Sequence, residues 1–163
     1  RTLMEDGIDY AVSLGGYIDL TTSSDPEFLE PDEVKASTGL KMALEAGVPK
    51  EQVTFSSDGQ GSLPVFCPDG TLKGLGVGKV TSLYREMRDA VLTDGVELSL
   101  AIRTVTANPA ALLKLSRKGR VAEAADADLV MSDEKSLAID MVMAKGTVMV
   151  SGGQAVVKGT FEG

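Results

Sequence analysis

Val53-Thr54-Phe55-Ser56-Ser57-Asp58-Gly59-Gln60-Gly61-Ser62 is the stretch on which the reading of this chain turns. Its first half has the β-branched and aromatic texture of a short buried strand, and its second half cannot continue one. Gly59 and Gly61 open backbone angles closed to other residues and let a ligand come close to the main chain. An acid, Asp58, therefore stands where a buried strand breaks into a permissive loop. Two readings stay open on this stretch alone. It is an Asp-Gly turn carrying a surface carboxylate, or it is the carboxyl end of an α/β strand, where ligands bind.

Outward from it, short connections join helix, strand, helix and strand. Residues 3–14 place Leu3, Ile8, Ala11 and Val12 on one helical face, and Gly15-Gly16 stops the helix. Tyr17–Thr21 reads as a buried strand and Ser23-Ser24-Asp25-Pro26 as a turn. Pro31-Asp32-Glu33 opens a helix that Gly47 closes, before the strand 53–57. Alternation of this kind predicts parallel strands with right-handed crossovers.

Beyond Ser62 the spacing predicts a long irregular loop to Gly78, with a small hairpin flap turning at Asp69-Gly70. A helix over 79–92 points Val80, Leu83, Met87 and Val91 inward and Arg85, Glu86, Arg88 and Asp89 outward. A second covers 98–106. In a third, Asn108 reads as the N-cap and Pro109 as the first helical residue. From Gly119 the texture changes to a β-meander, with segments 127–131, 137–144, 147–150 and 154–158 turning at Lys145-Gly146 and Ser151-Gly152-Gly153.

Composition narrows the function. With 43% hydrophobic residues in 163, the chain can bury a core. A net charge of -8 argues against nucleic acid and anionic membrane as partners. Cys67 is the single cysteine, so no internal disulfide framework exists and a reducing cytoplasm is expected. There is no histidine, which removes Ser-His and Cys-His dyads and His-based metal sites built from this chain alone. The glycine run Gly74-Leu75-Gly76-Val77-Gly78 imitates a phosphate loop, yet no strand directly precedes it. Met141, Met143 and Met149 read as core.

Two sets of residues carry a family resemblance. Thr106-Ala107-Asn108-Pro109-Ala110-Ala111-Leu112-Leu113, Lys118-Gly119-Arg120-Val121, Ala127-Asp128-Leu129-Val130 and the Val142–Val150 hairpin resemble the closing segment of amidohydrolase-superfamily enzymes. Ile18-Asp19-Leu20-Thr21, the run Ser56–Ser62 and Val157-Lys158-Gly159-Thr160-Phe161-Glu162 resemble the isoaspartyl (β-aspartyl) dipeptidases of that superfamily, over their C-terminal half. The resemblance implies an α/β fold: the C-terminal part of a metal-dependent (β/α)8 TIM barrel over residues 1–118, then strands of a small β-sandwich domain over 119–163. It implies hydrolysis of the isopeptide bond of β-aspartyl dipeptides at a two-zinc centre, in a cytoplasmic homo-oligomer.

By the same resemblance Asp58 corresponds to a zinc ligand and the general base. Ser62 corresponds to a residue that holds the substrate, and Arg1 to one that binds a substrate carboxylate. The other ligands of that centre, histidines and a carboxylated lysine, have no counterpart in these residues, so the segment by itself is expected to be inactive. Two rivals stay in view. One is another amidohydrolase, a cyclic amidase or N-acyl deacetylase; the other is an inactive fragment or assembly module.

Overall fold

The computed structural model describes residues 3–23, 33–67 and 69–159. The expectations placed on Arg1, on the turn at 23–26, on Pro31-Asp32 and on Thr160–Glu162 fall wholly or partly outside those residues. The chain forms two compact units, Arg1–Pro109 and Ala110–Gly163.

In the first unit, α1 (Leu3–Leu14), β1 (Ile18–Thr21), α2 (Ala36–Glu45) and β2 (Val53–Ser56) follow in the order the sequence sets. β1 and β2 pair in parallel, Ile18 beside Val53, Asp19 beside Thr54, Leu20 beside Phe55 and Thr21 beside Ser56. Partnered residues share a face, so this register sorts the chemistry. Ile18, Val53 and Phe55 join the core with Ala11, Leu40 and Ala43 from the helices. The opposite face carries Asp19, Thr21, Thr54 and Ser56. Gly47 closes α2 with φ +88°, a conformation that favours glycine. Val12, assigned inward by spacing, is half exposed.

The hairpin expected at Asp69-Gly70 is present, and the irregular loop expected around it is an antiparallel ribbon whose register shifts between Val65 and Phe66. β3 (Ser62–Phe66) and β4 (Leu72–Val77) pair antiparallel, with Ser62 opposite Val77 and Pro64 opposite Leu75. The glycine run 74–78 is thus largely a strand. The ribbon turns at Asp69-Gly70, where the Thr71 amide and hydroxyl both donate to Asp69 Oδ1, at 2.9 and 2.6 Å.

α3 (Ser82–Leu92), α4 (Leu98–Ala101) and a 3-10 turn (Ile102–Val105) follow, and Met87, Ala90 and Ala101, with Val96 from the connection between α3 and α4, complete the core. Glu86 departs from its expected outward position and is only 2% exposed. The reason is a partner on another helix: its Oε2 accepts from the Ser37 amide at 3.1 Å, in the first turn of α2. Orphan amides at a helix start are good sites for a carboxylate. Arg85 Nε lies 3.2 Å from Glu86 Oε1, and Lys35 Nζ lies 4.0 Å from Oε2.

α5 (Ala107–Leu112) also departs from expectation at Asn108. An N-cap side chain accepts a hydrogen bond from a nearby amide. Asn108 instead donates, through Nδ2, to the carbonyls of Lys50 (2.6 Å) and Val53 (2.7 Å). Its Oδ1 is buried without a partner. The residue fastens the entry of β2 rather than starting a helix.

In the second unit the expected meander is present: β5 (Leu129–Ser132), β6 (Ile139–Ala144), β7 (Thr147–Ser151) and β8 (Gln154–Ala155), in that order in one antiparallel sheet. Met141, Met143 and Met149 are half-buried rather than core. Lys118 ties together two carboxylates here, meeting Asp126 at 2.9 Å and also Asp128, while Arg117 meets Asp126 at 2.7 Å.

Candidate active site

The parallel pair delivers its polar face to one end, and Asp58 lies two residues beyond the end of β2. On that face Thr54 Oγ1 donates to Asp19 Oδ1 at 2.6 Å, and the Ser56 hydroxyl donates to Asp19 Oδ2. Asp19 therefore has a structural employment, satisfying two hydroxyls of the neighbouring strand.

Asp58 is exposed and has φ +44°, followed by Gln60 at φ +69°. Both are left-handed conformations, which cost an ordinary L-residue on the order of 1 kcal/mol and persist where surroundings hold them. Three backbone hydrogen bonds do so here: Gly61 N to Asp58 O, Gln60 N to Gly78 O and Gly78 N to Gly61 O, each 2.9 Å. The last two join the Asp58 loop to the residue that follows β4. Ser62 opens β3 and is exposed, four residues from Asp58 along the same tight turn. Arg1 lies outside the described residues.

The carboxylate of Asp58 is folded back over Gly61: a Cβ built there would come within 2.6 Å of Asp58 Oδ2. The freedom of that glycine is thus a matter of space as well as of backbone angle. Val80 encloses the next glycine in the same way, 2.6 Å from a Cβ at Gly59.

Asp58 is a single hard oxygen donor. Among the described residues no three His, Cys, Asp or Glu side chains come together to hold a metal ion, and the sequence contains no His. These residues do not by themselves make a zinc centre, which needs three or four ligands.

The model of the amidohydrolase family matches residues 21–149, from the end of β1 to β7. This chain belongs to the amidohydrolase family. The match spans both compact units and includes Asp58 and Ser62. Among solved structures, this amidohydrolase is similar to the β-aspartyl dipeptidase of Fervidobacterium islandicum AW-1 in complex with β-Asp-Leu, at 35% identity and TM-score 0.78. That likeness covers 97% of this chain and 40% of the other. Another structure of the β-aspartyl dipeptidase from that organism matches at 32% identity and TM-score 0.74, over 97% of this chain and 37% of its own. The N-acetylglucosamine-6-phosphate deacetylase of Pasteurella multocida shares the fold, at 13% identity and TM-score 0.58, over 83% of this chain and 37% of its own.

The amidohydrolase chain thus spans about two fifths of the length of the dipeptidases it matches. Its fold class is the one read from the sequence, α/β in the manner of the (β/α)8 amidohydrolases, with no closed barrel among the described residues. No helix among those residues is long and apolar enough to cross a membrane.

Sequence reasoning placed Asp58 and Ser62 together on one turn. It missed Gly78, which closes that turn from the far end of the ribbon. The only signal for Gly78 was its place at the end of a glycine run, and that run suggested a different motif.

Proposed function

We propose that this chain works as part of a metal-dependent hydrolase that cleaves the isopeptide bond of β-aspartyl dipeptides, with Asp58 as general base and metal ligand. The observation that carries the reading is the 35% identity, over 97% of the chain, to a β-aspartyl dipeptidase held with β-Asp-Leu. In this proposal residues 1–118 belong to the catalytic barrel and 119–163 to the small β-domain of a cytoplasmic homo-oligomer. The remaining ligands of the two zinc ions lie outside these residues.

Two bound divalent ions would acidify the attacking water and polarise the scissile carbonyl. The part of this chain is proton transfer and binding. The exposed Asp58 carboxylate takes the proton released as the water oxygen bonds to the carbonyl carbon. It returns that proton to the amine nitrogen as the C–N bond breaks. The Ser62 hydroxyl donates to a substrate oxygen, and Arg1 offers its guanidinium to a substrate carboxylate.

The test is a substrate comparison on the full-length protein, with metal analysis alongside. Turnover of β-Asp-Leu with bound zinc, and little turnover of N-acetyl amino acids, is the expected result. Preference for the N-acetyl substrates, or a metal-free protein with peptidase activity, would overturn the reading.

A further inference from the structure

We infer that Gly78 and Gly61 are positioning residues for Asp58, forming a notch that only two residues without Cβ atoms leave open. This deepens the reading above, since it rests on Asp58 as the acting carboxylate.

The two glycines touch different parts of the aspartate. A Cβ at Gly78 would stand 2.6 Å from the Asp58 carbonyl oxygen, so it presses on the main chain. A Cβ at Gly61 would stand 2.6 Å from Oδ2, 2.7 Å from Cγ and 2.8 Å from the carbonyl oxygen of Asp58, so it presses on the carboxylate as well. The exposed carboxylate could turn away from a Cβ at Gly61, but the Asp58 carbonyl oxygen, which both Cβ atoms would meet within 2.8 Å, is main chain and cannot.

Gly78 is also buried and hydrogen-bonded on both sides, donating to Gly61 O and accepting from Gln60 N. The two glycines flank the first and last residues of the β3–β4 ribbon, Ser62 and Val77, which face each other. The ribbon base and the left-handed φ of Asp58 are therefore one structure.

The displacement follows from the geometry. Ordinary contacts of a Cβ begin near 3.4 Å, so a methyl at Gly78 must push the Asp58 carbonyl by roughly 0.8 Å, the gap between 2.6 and 3.4 Å. A misplacement of about 1 Å in a reacting group costs on the order of 100-fold in rate. Gly74, on the same ribbon, provides the control, since a Cβ there meets nothing within 4 Å.

The experiment compares Gly78→Ala, Gly61→Ala and Gly74→Ala in the full-length protein. For the first two we expect kcat on β-Asp-Leu to fall about 10- to 100-fold, with KM changed less than about threefold and the protein still folded at the assay temperature. Unchanged kcat in both, or a loss matched by Gly74→Ala, would overturn the inference. If Gly78→Ala does not fold, Gly61→Ala decides by the same readout. A crystal structure of whichever variant folds gives a second reading independent of catalysis: Asp58 unmoved would overturn the inference even if the wild type proved inactive on β-Asp-Leu. That last result would fall on the dipeptidase reading instead.

Discussion

Replacing Asn108 should separate two effects that a simple count of hydrogen bonds would merge. Its amide nitrogen holds the carbonyls of Lys50 and Val53, while its Oδ1 is already buried without a partner. Stranding a buried acceptor costs about 1–3 kcal/mol. Asn108→Ala strands the carbonyl of Val53, a fully buried residue, and leaves that of Lys50, an exposed one, to find water. It also removes the orphaned Oδ1, which offsets part of the loss.

The net destabilisation expected for Asn108→Ala, after that offset, is roughly 1–2 kcal/mol. Asn108→Asp keeps the volume but exchanges the donor for an acceptor aimed at two carbonyls. It strands both groups and relieves nothing, so about 3–5 kcal/mol is expected. Protonating the new carboxyl restores one donor, and the Asp variant should recover stability as pH falls. Urea unfolding of the full-length protein measures this, a 2 kcal/mol loss moving the midpoint by about 1 M when the slope is near 2 kcal/mol/M. An Asp variant as stable as the Ala variant, or within about 0.5 kcal/mol of wild type, would refute the assignment of Nδ2 as a double donor.

Two further predictions concern charge. Hydrogen bonding to Asp128 and Asp126 holds the Lys118 ammonium above its ordinary pKa of 10.5. The same cation is the main cause of the lowered pKa of both aspartates, and the Lys145 amide adds to it at Asp128. The aspartates' contribution is therefore present above about pH 4 and lost as pH falls below it, while that of Lys118 is present below about pH 10.5 and lost above it. In melting curves taken across pH, Lys118→Met should lose stability mainly between those limits; a pH-independent difference from wild type would contradict this. Glu86→Ala strands the Ser37 amide inside the molecule and should cost about 2–3 kcal/mol, with Glu86→Gln costing about 1 kcal/mol because it can still accept from that amide. Lys35 and Arg85 are partly exposed and can turn to water, which keeps both figures below those of a fully buried pair. Equal midpoints for the two variants in denaturant would refute the capping role.

What the sequence made legible follows from the range of each interaction. The parallel pair of β1 and β2 was readable because short connections join helix, strand, helix and strand in alternation, an order that calls for crossovers between parallel strands. Asp58 was readable because strand-forming residues give way within five positions to an acid between small residues. Glu86 was not, because helical spacing alone treats a carboxylate as solvent-facing. Its partner is the amide of Ser37, 49 residues away on another helix.

Asn108 failed in the opposite direction. Its local pattern fits a cap, but its amide is committed to carbonyls 55 and 58 residues earlier in the chain. The hairpin turn at Asp69-Gly70 was readable, but the length of the β3–β4 ribbon was hidden by Pro64, Gly74 and Gly76, all weak strand formers. It is secured by cross-strand pairing and by the closure at Gly78, neither of which leaves a periodic trace.

The most direct measurement is the kcat of the full-length protein on β-Asp-Leu, beside that of Asp58→Asn. The amide matches the carboxylate in size but cannot take the proton from water, so kcat should fall by about 100-fold or more while the protein stays folded. Near-normal turnover by Asp58→Asn would contradict the assignment of this aspartate as the general base.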